Sequence, residues 1–568
     1  MSESSGRQPD DTGQGEGQGD KRGLTRRELL KSGAAAGIAG ALIGPAAMAA
    51  AATTDGGPAG MPDLVLINGK IHTMDGTNRV VSSVAIKDGR FTEIDRNGRG
   101  GPQSRVVNLR GRTVVPGIID NHNHIVLMGN RPGHHTPLEN AYSIVDVQQQ
   151  LAQRAAGVPT GAFITTLGGF HFNQFSEVRL PTLEELDAAV PDHPVYLSVG
   201  FSGPSVTNSL GKAHFEAAAL PVTVGANGSI ASGTQTGRAT LALRQALTFE
   251  DRKRGTLDAM AYATSLGVTT HIDQGAFQAV GQPSDGAAHE DNYTMHLPFL
   301  EVYADGQATV RLRINFLHMD PELEVPTLTE RLKNAFPFFG NEWVKTGGIG
   351  EFTAQGLGAN WMEANRRIAA AGWRAEVHSL SATDFMTEIA GFEAVNAEID
   401  ITDLRWVVAH VPFITEEWVN RLKAIGGGLS LTGWRYLSGT ATQNGPPFRM
   451  IVDNGIPTGM SSDGMQIAPM NPWLHMYYAT TGKNALGNVI NGAQTITRQE
   501  VLRLYTADNG WFLREEDDLG TIETGKMADL VVLNKDYFSV PDEELKQIRS
   551  VFTVVGGQVV HDTGDVKG

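Results

Sequence analysis

Apolar and polar residues alternate with a period of two near both ends of this chain, and longer helix-periodic runs lie between. From Asp63 the alternating text reads Leu64-Val65-Leu66-Ile67, a turn at Asn68-Gly69, then Lys70-Ile71-His72-Thr73-Met74. A second pair, Ser83-Val84-Ala85-Ile86 and Arg90-Phe91-Thr92-Glu93-Ile94, flanks Asp88-Gly89. Asn-Gly and Asp-Gly between such runs predict hairpins, because their turns require positive φ. Leu530-Val531-Val532-Leu533 and Val551-Phe552-Thr553-Val554-Val555, then Gly556-Gly557, repeat the pattern. Strands from both ends predict one small β-sandwich domain assembled from residues 61–115 and 514–565.

The middle alternates short apolar runs with helix-periodic stretches, the pattern of a parallel sheet covered by helices. Eight runs stand out: 114–124, 267–272, 311–316, 343–345, 373–378, 405–410, 428–431 and 458–463. Eight strand–helix units predict an α/β fold, a (β/α)8 TIM-like barrel, over 116–513. Two further strand-like runs, 163–167 and 195–199, fall in a large insertion after the first strand, at about 128–255.

Composition narrows the chemistry. With no cysteine, disulfides, thiolate zinc sites and cysteine nucleophiles are excluded together. Any metal must be held by His, Asp, Glu or a modified Lys. The 46 Lys+Arg against 62 Asp+Glu give a net charge of −16. That balance argues against a nucleic-acid partner, which needs clustered basic residues.

Residues 1–22 are polar and Gly-rich, with nothing to build a core from. Thr25-Arg26-Arg27-Glu28-Leu29-Leu30-Lys31 then precedes a moderately apolar, Ala- and Gly-rich run over 34–52. A basic segment, an apolar stretch and an Ala-x-Ala end mark an export signal. The paired arginines resemble a twin-arginine signal, and Ala47-Met48-Ala49 offers a cleavage site. The alternative is a retained membrane anchor, which wants about 20 strongly apolar residues. The expectation for 1–52 is therefore a tail and a signal read by the twin-arginine export machinery, giving a periplasmic or extracellular protein.

His122-Asn123-His124 closes the first barrel strand, and residues two apart on a strand face the same way. Lys345, His378, His410 and Asp463 end four other strand-like runs. In a barrel the C-terminal strand ends converge on one mouth, so these groups would meet there around a metal.

Pro116-Gly117-Ile118-Ile119-Asp120-Asn121-His122-Asn123-His124 and Gly520-Thr521-Ile522-Glu523-Thr524-Gly525-Lys526-Met527-Ala528-Asp529-Leu530 carry a specific likeness. With them the chain, from about residue 63 to 560, resembles the metal-dependent amidohydrolase superfamily, in the branch that includes N-substituted formamide deformylases. The resemblance implies His122, His124 and Asp463 as ligands of a first metal. It implies a carboxylated Lys345 as bridge, and His378 and His410 on a second metal. Zn²⁺ suits such a donor set, as one ion or two. Asp463 would also shuttle the catalytic proton. The sequence departs from the family pattern at Thr346-Gly347-Gly348-Ile349-Gly350, at Ser379-Leu380-Ser381-Ala382-Thr383-Asp384 and at Thr432-Gly433-Trp434-Arg435-Tyr436. Those departures fall on substrate-side loops.

His171, in an aromatic loop, and Arg435, able to pair with a carboxylate, are the candidate contacts to a small-molecule substrate. His134-His135 could touch substrate or be solvated, and His271 is expected in the core. The implied activity is hydrolysis of an amide or formamide-like C–N bond. Ester or cyclic-amide hydrolysis, deamination, and a non-catalytic secreted binding protein remain alternatives. The resemblance also admits a homodimer.

The export reading is tested directly. Replacing Arg26 and Arg27 by Lys should leave full-length precursor in the cytoplasm on a fractionation blot. Unchanged export, or a mature protein that still begins at Met1, would overturn it.

Overall fold

The computed structural model describes residues 60–95, 100–275, 294–465 and 467–566. The twin-arginine segment and its cleavage site lie outside them. The eight central strands are β1 (Ile118–Asn123), β2 (Val268–Asp273), β3 (Arg311–Phe316), β4 (Val344–Ile349), β5 (Glu376–Ser379), β6 (Val407–His410), β7 (Gly428–Thr432) and β8 (Thr458–Ser461). They form two four-stranded parallel sheets, ordered β4-β3-β2-β1 and β5-β6-β7-β8. Ile349 and Ala375 make a parallel bridge where β4 meets the segment entering β5. On the other side, Asp463 N donates to His122 O at 3.0 Å and His124 N to Gly464 O at 2.9 Å.

Every residue of β1, β2 and β3 is buried, as expected of strands covered on both faces. Helices supply the outer cover: Phe249–Leu266 precedes β2, Ala359–Ala370 precedes β5 and Ala382–Glu398 precedes β6. Their starts are chemically marked. Thr248 with Asp251 and Ser381 with Asp384 form reciprocal capping boxes that satisfy otherwise orphaned N–H groups. Gly267 ends the first of these helices at φ 89° and turns the chain into β2. A Cβ there would also approach Val531 Cγ1 to 2.7 Å.

Strands from the two chain ends interleave. One sheet has the order Gln558–Asp562, Ser550–Val555, Leu530–Leu533, Thr113–Pro116, Lys70–His72 and Val80–Val81. A second has the order Arg90–Ile94, Val84–Lys87, Leu64–Ile67 and Arg105–Asn108. Both contribute to one apolar cluster that includes Leu66, Phe91, Val114, Leu530 and Phe552. The Asp88-Gly89 turn closes a hairpin, with both residues at positive φ. The hairpin expected at Asn68-Gly69 does not form. Leu64–Ile67 already pairs on both edges, with Val84–Lys87 and Arg105–Asn108, so Lys70–His72 crosses into the other sheet and pairs with Thr113–Pro116.

After β1, residues 134–230 build a separate five-stranded sheet from His134–His135, Ile164–Leu167, Val195–Ser198, Ser205–Thr207 and Ser229–Ile230. Its own apolar cluster includes Leu138, Ile164, Phe175 and Leu197. Among the described residues, no helix is long and apolar enough to cross a membrane.

A buried ion pair ties the terminal sheet to the central one. Arg311 Nε and Nη2 donate to Asp529 Oδ2 and Oδ1 at 2.8 and 2.9 Å, with both side chains no more than 5% exposed. Asp529 Oδ1 also accepts from Gly556 N, and its carbonyl from Gly117 N at the entry to β1. Removing one partner of such a pair strands the other charge in low dielectric. Asp529→Ala should therefore cost about 3–5 kcal/mol of stability, read as a lower urea midpoint. A midpoint equal to that of the unaltered protein would show that the pair contributes nothing to holding the sheets together.

Candidate metal centre

The C-terminal ends of the central strands bring six titratable side chains together. His122 and His124 project from β1 and the residue after it, and both are buried. Asp463 joins them because its segment is zipped to β1. Asp120 accepts from Ser462 N at 2.9 Å, and Asp463 N donates to His122 O. Burial raises the Asp120 carboxyl to about 6 against the opposing pull of the Ser462 bonds. His124 Nε2 lies 3.3 Å from Asp463 Oδ1, and His122 Nε2 lies 3.8 Å from the same oxygen.

At the centre stands Glu351, two residues past β4 and 3% exposed. Its Oε1 is 3.3 Å from His124 Nε2. Its Oε2 is 2.8 Å from His378 Nδ1, 3.2 Å from His122 Nε2 and 3.6 Å from His410 Nε2. His378 ends β5 beside Ser379 and is the one cluster side chain with substantial exposure, 24%. His410 is the last residue of β6 and is wholly buried.

Outer partners fix which nitrogen turns inward in three of the four rings. His122 Nδ1 lies 2.7 Å from Glu376 Oε1, His124 Nδ1 lies 2.7 Å from Gly275 O, and His410 Nδ1 lies 3.3 Å from Thr432 Oγ1. Glu376 is itself held by Arg374 and by Asn315 Nδ2 at 3.1 Å. A carboxylate behind a ligating imidazole is the usual way to orient the ring and raise its basicity.

The charges are strongly coupled. Burial opposes ionisation of Glu351, yet His378, His122 and His124 outweigh it and hold its carboxyl well below the usual range. Asp463 is lowered in the same sense, chiefly by His410 and His124 acting against burial. Burial likewise disfavours a charged His122, but Glu351 and Glu376 push it up to about 10. Two carboxylates thus draw protons onto rings that water cannot reach. A cation would replace those protons, as ligand sets do when they bind metal. His122 Nε2 fits that role, since it is buried and faces the carboxylates of both Glu351 and Asp463. Two triads, His122–Glu351–His410 and His122–His124–Asp463, each bring their ligand atoms within 4.8 Å of one another.

His410, Val411 and Asp463 adopt φ values of 71°, 37° and 54°. Left-handed backbone is costly for residues other than glycine, above all for a β-branched valine, and it clusters where a site over-determines the chain. Here it turns the ends of β6 and β8 so that His410 and Asp463 face Glu351.

Lys345 does not belong to this centre. It is the second residue of β4, six residues before Glu351 and so roughly 20 Å away along an extended strand. Its Nζ donates to Glu515 Oε1 at 2.8 Å, the carboxylate that also receives Arg313. The expectation of a carboxylated bridging lysine is corrected by where β4 ends. The strand runs through Thr346-Gly347-Gly348-Ile349, so the first ligand-type side chain past its end is Glu351. Following the strand beyond Lys345 to the next carboxylate would have found it. The glycines permit the path: a Cβ on Gly348 would meet Arg374 O at 2.8 Å, and one on Gly350 would meet Glu376 O at 2.5 Å. Glu376 was also missed, because nothing in Arg374-Ala375-Glu376 distinguishes a supporting carboxylate from any other strand residue.

The remaining candidates divide. His171 caps the short helix Phe172–Gln174, its Nδ1 accepting from Asn173 N at 3.1 Å, so that nitrogen serves the loop itself. His271 is buried within β2, and burial lowers it to about 3. His134 and His135 form an edge strand of the insertion sheet, both buried. Arg435 lies just beyond β7, 7% exposed, against Trp434 and Phe413.

Comparison with known proteins gives the family. Residues 105–561 match the amidohydrolase family. The chain is 24% identical over 564 residues to the N-substituted formamide deformylase of Arthrobacter pascens, covering 88% of this chain and 98% of that one. Its fold is similar to an uncharacterized metal-dependent hydrolase from Pyrococcus horikoshii, with TM-score 0.57, 18% identity and coverage of 84% and 99%. It is also similar to an adenosine deaminase from Xanthomonas campestris with bound zinc, with TM-score 0.52, 13% identity and coverage of 89% and 94%. The chain therefore belongs to the amidohydrolase family, as a metal-dependent enzyme acting on carbon–nitrogen bonds.

Proposed function

We propose that this protein is an exported hydrolase of an amide or formamide-like C–N bond, with zinc as its ion and the Glu351 cluster as its active site. The observation that carries the reading is the Glu351 carboxylate, buried among four imidazoles and ion-paired, among the described residues, with no lysine or arginine. Imidazole nitrogen and carboxylate oxygen, without sulfur, suit Zn²⁺ and related divalent ions. The two triads, which share His122, would hold one ion or two, and Glu351 would stand among the ligands where the family pattern suggested Lys345. The junctions of β4 with β5 and of β8 with β1 support reading the two sheets as one eight-stranded barrel opening at this end. The formamide deformylase likeness supports the bond class, and Arg26-Arg27 supports the export route.

When bound, a divalent ion acidifies water and polarises a carbonyl. The chain's own residues do the rest. Asp463 is ionised and lies against His124, so it can take the proton of the attacking water and return it to the leaving nitrogen. His122, His124 and His410 are held in fixed orientations by Glu376, Gly275 and Thr432, so the site need not reorganise as charge develops. His378, a quarter exposed, marks the side from which a substrate enters.

Two sets of variants test the roles. Glu351→Gln keeps the shape and removes the charge, and should lose at least one equivalent of metal by elemental analysis. Its metal affinity should fall by more than the roughly 10–100-fold seen when a merely orienting partner is removed. Lys345→Ala should retain the full metal content. The opposite pattern would return the bridging role to the lysine.

Asp463→Asn should keep most of the metal but lower turnover of a simple formamide by at least about 10²–10⁴-fold, the range of general acid–base help. Near-normal turnover in a metal-replete Asp463→Asn protein would exclude the proton-shuttle role.

A further inference from the structure

The loops leaving β6 and β7 hold a positive charge that, among the described residues, no acidic side chain neutralises. Arg435 lies three residues past Thr432, whose hydroxyl sits 3.3 Å from His410 Nδ1. Phe413 lies three residues past His410 itself. The Arg435 guanidinium carbon stands 3.9 Å from the centre of the Trp434 ring and 5.9 Å from that of Phe413. The residue is 7% exposed. Its Nε is buried without a hydrogen-bond partner, and the neighbouring Trp434 Nε1 is in the same condition.

Three other buried arginines of this fold are answered by carboxylates, while Arg131 donates to the Met465 carbonyl and Arg252 to Asn130 Oδ1. Arg311 is paired with Asp529, Arg313 with Glu515 and Arg374 with Glu376. Among the described residues, no acidic side chain pairs with Arg435. A desolvated charge without a counterion is costly, and an arriving anion relieves that cost. The planar guanidinium fork matches a carboxylate, and the aromatic stacking holds it in one orientation. The indole N–H beside it is a neutral donor suited to the same acceptor. Burial also pulls Arg435 below the ordinary arginine value. Three residues of chain span at most about 11 Å between Cα atoms. Arg435 therefore stands on the loop that leaves β7 directly after the residue supporting His410, on the side of the sheet where the cluster lies.

We propose that Arg435 and Trp434 form an anion subsite beside the metal centre, so that the substrate is an amide carrying a carboxylate, of the N-acyl amino acid type, and not a neutral amide. The location of the scissile bond rests on the hydrolase reading above, whereas recognition of the charge is a matter of binding and is tested as such.

The probes are racemic N-formylphenylalanine and N-formyl-2-phenylethylamine, which differ only by the carboxylate. Each is titrated calorimetrically into metal-loaded full-length protein carrying Asp463→Asn, which suppresses turnover during the measurement. The anionic compound should bind about 10- to 100-fold more tightly, the range of charge-assisted hydrogen bonds. Adding Arg435→Met should reduce that ratio to within about threefold of unity, and Arg435→Lys, which keeps the charge but not the fork, should retain part of it. Trp434→Phe keeps the ring and loses the N–H, and should lower the ratio by a smaller factor. Circular dichroism and metal content establish that each variant folds. If Arg435→Met does not, the lysine and phenylalanine variants carry the test. Equal affinities for the two probes, no binding of the anionic probe at millimolar concentration, or a preference that survives the Arg435 variants would overturn the subsite. Hydrolysis of both probes by the unaltered protein is followed separately. Failure to hydrolyse either one would count against the proposed activity, while the binding ratio still decides the subsite.

Discussion

Burying the Glu351 carboxylate away from water requires compensating positive charge or donors on every side, and much of the surrounding structure answers that requirement. Four imidazoles face it, and three of them are fixed from behind by Glu376, the Gly275 carbonyl and Thr432. Glu376 brings a second buried negative charge, which Arg374 and Asn315 answer in turn. Charge alternates outward from the centre, each layer satisfying the one inside it. Such a network specifies its geometry closely, because displacing one member leaves another unpaired in low dielectric. A set of nitrogens and oxygens held this way is prepared for a cation before the cation arrives.

The backbone accepts unusual conditions to build that centre. β4 packs so closely against Arg374 and Glu376 that Gly348 and Gly350 have no room for a Cβ. Positive φ at His410, Val411 and Asp463 redirects the ends of β6 and β8 toward the carboxylate. Stability comes from elsewhere, from the apolar layer between strands and helices and from clamps such as Arg311–Asp529 at the opposite, N-terminal side of β3. This division lets the mouth carry strained and charged residues without endangering the fold. Arg435 lies on the loop after β7, and an unpaired charge there is tolerable if a ligand completes it.

Much of this was legible in the chain itself. Parallel strands buried on both faces leave continuous apolar runs, and each of the eight read from the sequence overlaps one of the central strands. His122 and His124 were identifiable because strand alternation forces residues two apart onto one face. Asp463, His378 and His410 followed from their positions at strand ends. Lys345 misled because its run was ended too early. Thr346 to Gly350 reads as a substrate-side loop, whereas Gly347 and Gly348 lie within β4 in close packing, and the true end of the strand lies beyond them. The Asn68-Gly69 turn misled for a related reason, since its local signal is that of a hairpin while its edges were already taken by distant strands.

The sequence by itself therefore determined the elements, their parallel order and the chemical type of the centre, because periodicity and residue chemistry are local properties. The choice between Lys345 and Glu351, the support of His122 by Glu376, and the lack, among the described residues, of an acidic side chain paired with Arg435 were decided only in the tertiary structure. Each depends on which groups are close after folding, and electrostatic pairing between residues hundreds of positions apart leaves no trace in local pattern. Glu351 and His124 are 3.3 Å apart in space and more than two hundred residues apart in the chain. Only the packing of β1 through β8 into one structure makes them neighbours.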